Sequence, residues 1–146
     1  RESKYIFVYL LGSNCKYPLS QIKEFAFKNK FDIKYVFSQG NSKQNGINAT
    51  IPEWLRLLKN SEYVITNSFH GTVFSILFEK KFTSLPLTGF FSGANTRLYT
   101  LLSMFDLDKN LFSNNIEDCL TQKIDWTSVK NEIIQQRSII NSIFNS

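Results

Sequence analysis

Residues 63–72 read YVITNSFHGT, and in them an apolar run of strand-forming residues passes directly into a helical pattern. Tyr63–Thr66 is predicted to be a short strand, because β-branched and aromatic residues favour strands. Residues 69–78 continue as a strongly apolar helix, and Asn67 and Ser68 can cap its start. A strand that leads at once into a helix is the repeating unit of a parallel sheet.

The same alternation extends to both sides of this stretch. Strands are predicted at residues 5–11, 33–37 and 82–85, and residues 38–48, which lack an apolar period, are predicted to be loop. Helices are predicted after Pro18, after Thr50 with Pro52 in the first turn, from a Thr96 cap onward, and over residues 127–144. The predicted fold is a single α/β domain over residues 1–146, a Rossmann-like three-layer domain with a mainly parallel sheet.

The composition narrows the classes of site. The chain has one histidine and two cysteines, Cys15 and Cys119, so a disulfide framework is not expected. With so few soft ligands and no tight carboxylate cluster, we expect no metal site and no cofactor. Two free thiols fit a reducing compartment.

The charge pattern and the hydropathy exclude two further classes of partner. The net charge is +5, but the lysines are scattered and no nucleic-acid-binding motif accompanies them, so nucleic acid is not an expected partner. No apolar run approaches the ~20 residues of a membrane span, and no secretion signal is present, so no transmembrane segment is predicted. Because the chain opens on Arg1, we interpret it as part of a larger protein.

The chemistry is expected where the third predicted strand meets its helix. Open parallel sheets bind ligands outside the carboxyl ends of their strands, and a helix start offers free N–H groups to an anion. His70, the chain's only imidazole, lies in that first turn, and Gly71 would let a ligand approach the backbone. Each residue also has a structural alternative: a structural histidine, a simple N-cap at Asn67 and Ser68, or close helix–sheet packing at Gly71. The pattern alone supports an anion-binding α/β domain.

Two segments, PEWL at 52–55 and KNSEYVITNSFHGTVFSILF at 59–78, carry a resemblance to a known family. They resemble the signature region of polysaccharide pyruvyl transferases, in which a Val-Ile-Thr strand leads into Ser-Phe-His-Gly and a Phe-Ser-rich helix. Phe82 after a short basic turn, Arg97 at the start of a Leu-rich helix, and IDW at 124–126 before a helix containing Arg137 extend the similarity.

The resemblance implies the C-terminal half of a two-domain enzyme similar to the GT-B glycosyltransferases. Its partners would be phosphoenolpyruvate, a saccharide acceptor that is free or lipid-linked, and its own N-terminal domain. The protein would act in the cytoplasm or peripherally at the inner face of the membrane. The family motif maps onto Ser68, Phe69, His70 and Gly71, and it implies that His70 is the catalytic acid or a donor ligand. We expect Asn67, Ser68, Gly71 and Thr72 to bind the anionic groups. Arg97 is a second candidate, because a guanidinium pairs with phosphate or carboxylate. For Arg97, a solvated position in a first helical turn is the alternative.

Two other functions stay open at this point. A GT-B glycosyltransferase donor domain would hold a nucleotide sugar at the same strand ends, and a non-catalytic module would only bind an anion. In GT-B-like proteins the terminal helix often crosses back to the N-terminal domain. We therefore predict that part of the last helix packs outside the domain's own core, leaving Ile139, Ile143 or Phe144 exposed.

Overall fold

The computed structural model describes residues 3–12, 18–38, 46–87, 93 and 95–144, without the side chains of residues 38, 140, 143 and 144. Within these residues five strands form one sheet: β1 Tyr5–Tyr9, β2 Asp32–Ser38, β3 Ile47–Ala49, β4 Tyr63–Thr66 and β5 Lys81–Ser84. The helices are α1 Leu19–Asn29, α2 Ile51–Lys59, α3 Phe69–Leu77, α4 Asn95–Met104, α5 Ile116–Leu120 and α6 Trp126–Phe144, with a 3₁₀ turn at Asp108–Asn110.

All strand pairs are parallel, and the strand order is β3-β2-β1-β4-β5. The chain builds outward from β1 to β3 on one side, then returns to the other side of β1 for β4 and β5. The order therefore reverses between β1 and β4, where Phe7 pairs with Val64. This is the strand order of a Rossmann-like fold, and it confirms the predicted fold class.

Alternating residues of the central strands supply two separate cores. Phe7 and Val64 lie with buried residues of α2, α3, α4 and α6 on one face, and Ile6 and Ile65 lie with α1 and α5 on the other. All four side chains are fully buried. Because a parallel sheet buries both faces, the near-continuous apolar run at the start of the chain needs no polar alternation.

Two predicted boundaries move in the structure. β1 ends at Tyr9 and not at Leu11, because the backbone of Leu11 pairs with the side chain of Asn67 instead of with a strand. Thr96 was predicted to cap α4, but it lies inside this helix, which begins at Asn95. The amide of Asn95 forms hydrogen bonds with the backbone of Leu87, so it ties the helix start to the segment after β5.

The sequence patterns missed two short elements. The segment predicted as loop overlaps β3, a three-residue edge strand that begins at Ile47, which pairs with Val36. α5 was also not predicted; it begins at the Asn115 cap, whose side chain accepts a hydrogen bond from the Asp118 N–H. Both elements are too short to show a clear period of apolar residues, so no sequence pattern indicates them. Only their hydrogen bonds in the folded structure define them. Residues 39–45 of this predicted loop lie outside the described residues, as do residues 88–92 and 94 of a second predicted loop over residues 88–95.

The last helix packs mainly through its first half. Val129 is buried, and Ile133 packs against the same core. Farther along, Ile134 and Ile139 are 63% and 54% exposed, so the predicted exposure of Ile139 is confirmed. The side chains of Ile143 and Phe144, named in the same prediction, lie outside the described residues.

Candidate functional site

The carboxyl ends of β1 and β4 are held together by side chains that follow β4. Thr66 Oγ1 donates to the carbonyl oxygen of Tyr9 at 2.7 Å. Asn67 Oδ1 accepts from the Leu11 N–H at 2.7 Å, and its Nδ2 donates to the Leu11 carbonyl at 2.9 Å. Asn67 is buried, and its amide is occupied on both sides. It therefore shapes the edge of the sheet at the point where the strand order reverses.

Ser68 caps α3. Its backbone is extended, and its Oγ accepts from the Gly71 N–H at 3.2 Å. Its own N–H donates to Thr66 Oγ1 at 3.0 Å. Among the described residues, the backbone N–H groups of Phe69 and His70 have no acceptor. Two donors at the positive end of a helix dipole form a place where an anion can bind.

Gly71 permits the close approach of α3 to β4. A Cβ at this position would lie 2.6 Å from Thr66 Oγ1 and 3.0 Å from Thr66 Cγ2. Those distances are shorter than side-chain atoms tolerate, so any other residue would push the helix away. Of the two roles considered for Gly71, its observed contacts are those of helix–sheet packing.

Thr72 joins α3 to the next strand. Its side chain is fully buried, its Oγ1 donates to the Ser68 carbonyl at 3.1 Å, and it shares a 2.6 Å hydrogen bond with Ser84 Oγ. Asn67, Ser68, Gly71 and Thr72 are thus all buried, and their polar atoms bond to one another, to nearby backbone or to the side chains of Thr66 and Ser84. Together they fix the backbone of the turn that carries one exposed polar residue.

That exposed residue is His70. Its ring lies edge-on to the ring of Phe69, with centroids 6.0 Å apart. Neither imidazole nitrogen has a hydrogen-bond partner among the described residues. The structure therefore leaves both nitrogens available to a ligand or to a proton.

His70 forms one wall of a cleft of about 520 Å³ between α2, α3 and the end of β1. This volume lies within the range of about 300–1,000 Å³ that small-molecule sites usually occupy. The cleft is lined by Tyr9, Leu11, Ala49, Thr50, Ile51, Trp54, Leu55, Ser68, His70 and Phe74. None of these side chains is an acid, a lysine or an arginine, so the described lining of the cleft is neutral apart from the imidazole.

Three aromatic rings line the interior of the cleft. Trp54 meets Tyr9 at 5.2 Å and Phe74 at 5.7 Å between ring centroids, edge to face in both cases. The indole Nε1 of Trp54 is buried and has no hydrogen-bond partner within the described residues. A buried donor without an acceptor is uncommon in proteins, and a bound molecule is one of its explanations.

Arg97 approaches the same turn from α4. Its guanidinium carbon is 4.2 Å from the centroid of the Phe69 ring, a cation–π contact between α4 and α3. The residue is exposed and does not line the cleft. Among the predicted site residues, His70 and Arg97 thus both contact the Phe69 ring at the start of α3, and of the two His70 lines the cleft.

Sequence reasoning did not identify the aromatic wall. Trp54 was used only to define a helix and a family motif, and Tyr9 only to define a strand. The sequence did give one indication of this wall, because Tyr9 and Trp54 each lie close to the carboxyl end of a strand. The packing that brings them together connects residues 45 positions apart, and it cannot be read from local patterns.

Two negative observations concern the described part of the chain. It contains no group of three His, Cys, Asp or Glu side chains that could hold a metal ion. No helix in it is long and apolar enough to cross a membrane. Cys119 is a buried free thiol, and Cys15 lies outside the described residues.

Comparison with protein families gives a match that covers the candidate site. The sequence profile of the polysaccharide pyruvyl transferase family matches residues 1–87. That range is more than half of the chain, and it extends from β1 past the end of β5, with the whole 63–72 stretch inside it. Arg97 and residues 124–126 lie beyond it. No curated protein and no solved structure matches the chain.

Proposed function

We propose, since this chain belongs to the polysaccharide pyruvyl transferase family, that it transfers pyruvate from phosphoenolpyruvate to two hydroxyls of a saccharide as a ketal. The observation that carries this proposal is the exposed imidazole of His70 at the start of α3. This helix start lies beside the point at which the strand order reverses, between β1 and β4. A ligand in an open parallel sheet binds at this kind of position.

The start of α3 suits the donor. Phosphoenolpyruvate carries a phosphate and a carboxylate, and both need N–H donors and positive charge. The free N–H groups of Phe69 and His70 and the helix dipole supply these, and the guanidinium of Arg97 lies on the neighbouring ring. Asn67, Ser68, Gly71 and Thr72 hold this turn in place through the buried hydrogen bonds and close packing described above.

The chemistry requires one proton donor. In the proposed reaction His70 protonates the methylene carbon of phosphoenolpyruvate, which leaves an oxocarbenium centre at C2. One sugar hydroxyl adds to C2, the C2–O bond to phosphate breaks, and the second hydroxyl adds. Of the two hydroxyl protons released, one restores His70 and the other leaves on inorganic phosphate. The products are the ketal and phosphate.

The proposal also covers the setting of the reaction. The chain is the C-terminal, donor-binding domain of a two-domain GT-B-like enzyme, and the N-terminal domain completes the cleft. The enzyme works in the cytoplasm or peripherally at the inner face of the membrane, where a lipid-linked acceptor is accessible. The exposed outer half of α6 fits a helix that packs against that N-terminal domain.

Calorimetry separates this proposal from its alternatives. The protein is titrated with phosphoenolpyruvate, with a panel of nucleotide sugars and with inorganic phosphate. Binding of phosphoenolpyruvate, lost in His70→Ala, is the expected result. Binding of a nucleotide sugar alone would favour a glycosyltransferase, and equal binding of every anion without phosphate release from phosphoenolpyruvate would favour a non-catalytic module.

A further inference from the structure

We infer that the aromatic cleft between α2 and α3 is the subsite for one sugar ring of the acceptor. This inference rests on the proposed pyruvyl transfer, and it adds the position and the chemistry of the second substrate. The first observation is that the cleft does not suit phosphoenolpyruvate in size or in charge.

The cleft is too large and too neutral for phosphoenolpyruvate. Its volume is about 520 Å³, and the described residues that line it include no lysine, arginine, aspartate or glutamate. An anion with two acidic groups would lose its water there without gaining a counter-charge, which is unfavourable. The expected occupant is therefore an uncharged molecule with both apolar and hydroxyl-bearing surfaces.

A sugar ring has this combination. Its C–H faces are apolar and pack on aromatic rings, whose faces carry partial negative charge. Tyr9, Trp54 and Phe74 provide such rings, and their edge-to-face contacts hold them in one arrangement. Ile51 is 78% exposed and Leu11 is 40% exposed, so the cleft also has an apolar rim.

The polar groups of the cleft can form hydrogen bonds with a few hydroxyls of a sugar ring. The buried Nε1 of Trp54 lacks an acceptor among the described residues, and a sugar oxygen can supply one. His70 is shared between the cleft and the helix start where we place the donor. A ring stacked in the cleft would therefore present its hydroxyl pair toward the carbon that is attacked.

The indole N–H resonances of the protein test this inference directly. The chain has only two tryptophans, Trp54 in the cleft and Trp126 at the start of α6. We expect the Trp54 resonance in an ¹H–¹⁵N spectrum to shift with at least one of four methyl glycosides: β-galactoside, β-glucoside, β-mannoside and β-N-acetylglucosaminide. The Trp126 resonance is the internal control and should stay in place. Phosphoenolpyruvate should shift the backbone resonances of Phe69 and His70 and leave the Trp54 indole unchanged.

Two variants check that the response comes from binding in the cleft. Trp54→Phe keeps an aromatic ring but removes the N–H, and we expect about tenfold weaker glycoside binding with unchanged affinity for phosphoenolpyruvate. Ile51→Phe adds bulk at the exposed rim without entering the core, and it should weaken glycoside binding as well. Leu77→Phe changes an exposed position at the far end of α3 and should have no effect.

The outcomes distinguish this inference from the proposed function. If phosphoenolpyruvate binds and none of the four glycosides moves the Trp54 resonance, the acceptor subsite is wrong and the proposed function stands. The subsite is also wrong, and the proposed function again stands, if geranyl phosphate, a short prenyl probe, is the one ligand that moves Trp54. If phosphoenolpyruvate does not bind, the proposed function fails, whatever the glycosides do.

Discussion

The side-chain amide of Asn67 pairs with the backbone of Leu11 through two hydrogen bonds, of 2.7 and 2.9 Å, across 56 positions of sequence. This pairing joins the segments that leave β1 and β4, the two strands between which the sheet reverses its order. The candidate site lies on both sides of it, with the start of α3 next to Asn67 and the rim of the cleft at Leu11. Asn67 is therefore a positioning residue in the proposed reaction.

Asn67→Asp should destabilise the protein and weaken donor binding. The aspartate keeps an acceptor for the Leu11 N–H but brings a second oxygen against the Leu11 carbonyl, and the loss should be about 1–3 kcal/mol of unfolding free energy. Urea denaturation measures it, with Asn141→Asp on the exposed face of α6 as the matched control. A stability equal to that of the control would show that the pairing contributes nothing.

Gly71→Ala should cost about 1–3 kcal/mol of unfolding free energy, because the new methyl group would overlap the side chain of Thr66. Gly93→Ala is the matched control, since a Cβ there meets nothing within 4 Å, and it should change stability by less than about 0.5 kcal/mol. Denaturation curves of both variants give the comparison. Equal stabilities would mean that the close contact of α3 with β4 is not required.

His70→Ala should abolish pyruvyl transfer while leaving the fold intact. The loss of a positioned acid typically lowers kcat by about 10²- to 10⁴-fold, and the exposed imidazole makes no hydrogen bond to another described residue. Phosphate release from phosphoenolpyruvate in the enzyme with both domains measures the activity, and the melting temperature measures the fold. A variant that retains most of the turnover would make His70 a structural residue.

Arg97→Met should raise the KM for phosphoenolpyruvate by roughly tenfold and change the KM for the saccharide little. The methionine can still pack on the Phe69 ring, so the missing charge is what the kinetics report. Arg56→Met removes an exposed arginine from α2 and serves as the charge control. If both variants behave alike, Arg97 acts only through the overall charge of the domain.

Lys30→Gly should stabilise the domain by roughly 0.5–1 kcal/mol. Lys30 ends α1 in the left-handed conformation, with φ 58°, which glycine adopts without a steric penalty. Lys23→Gly, in the middle of the same helix, should lower stability by about the same amount because the helix interior disfavours glycine. Thermal unfolding of the two variants should show a higher melting temperature for Lys30→Gly and a lower one for Lys23→Gly. A lower melting temperature for Lys30→Gly would contradict the expectation.

Much of the fold was predictable because its signals are local. Both predicted ends of β4 agree with the structure, and the predicted end of α3 is one residue too late. These elements were predictable because an apolar run defines the strand and a capping serine fixes the helix start, and both signals span only a few positions. The Thr50 cap of α2 was also correct, with its side chain accepting from the Glu53 N–H. β3 was missed because three edge residues have no period of their own, and their hydrogen bonds come from β2.

The sequence by itself determined the α/β class, and it indicated the strand and the histidine at which a site was predicted, because these depend on residue types a few positions apart. Only the tertiary structure decided which of the neighbouring polar residues are free. Asn67 and Thr72 turn out to be committed to Leu11 and Ser84, and Trp54 is brought against Tyr9. Hydrogen bonds and ring contacts of this kind depend on which distant segments the sheet places side by side, and no local pattern encodes that neighbourhood.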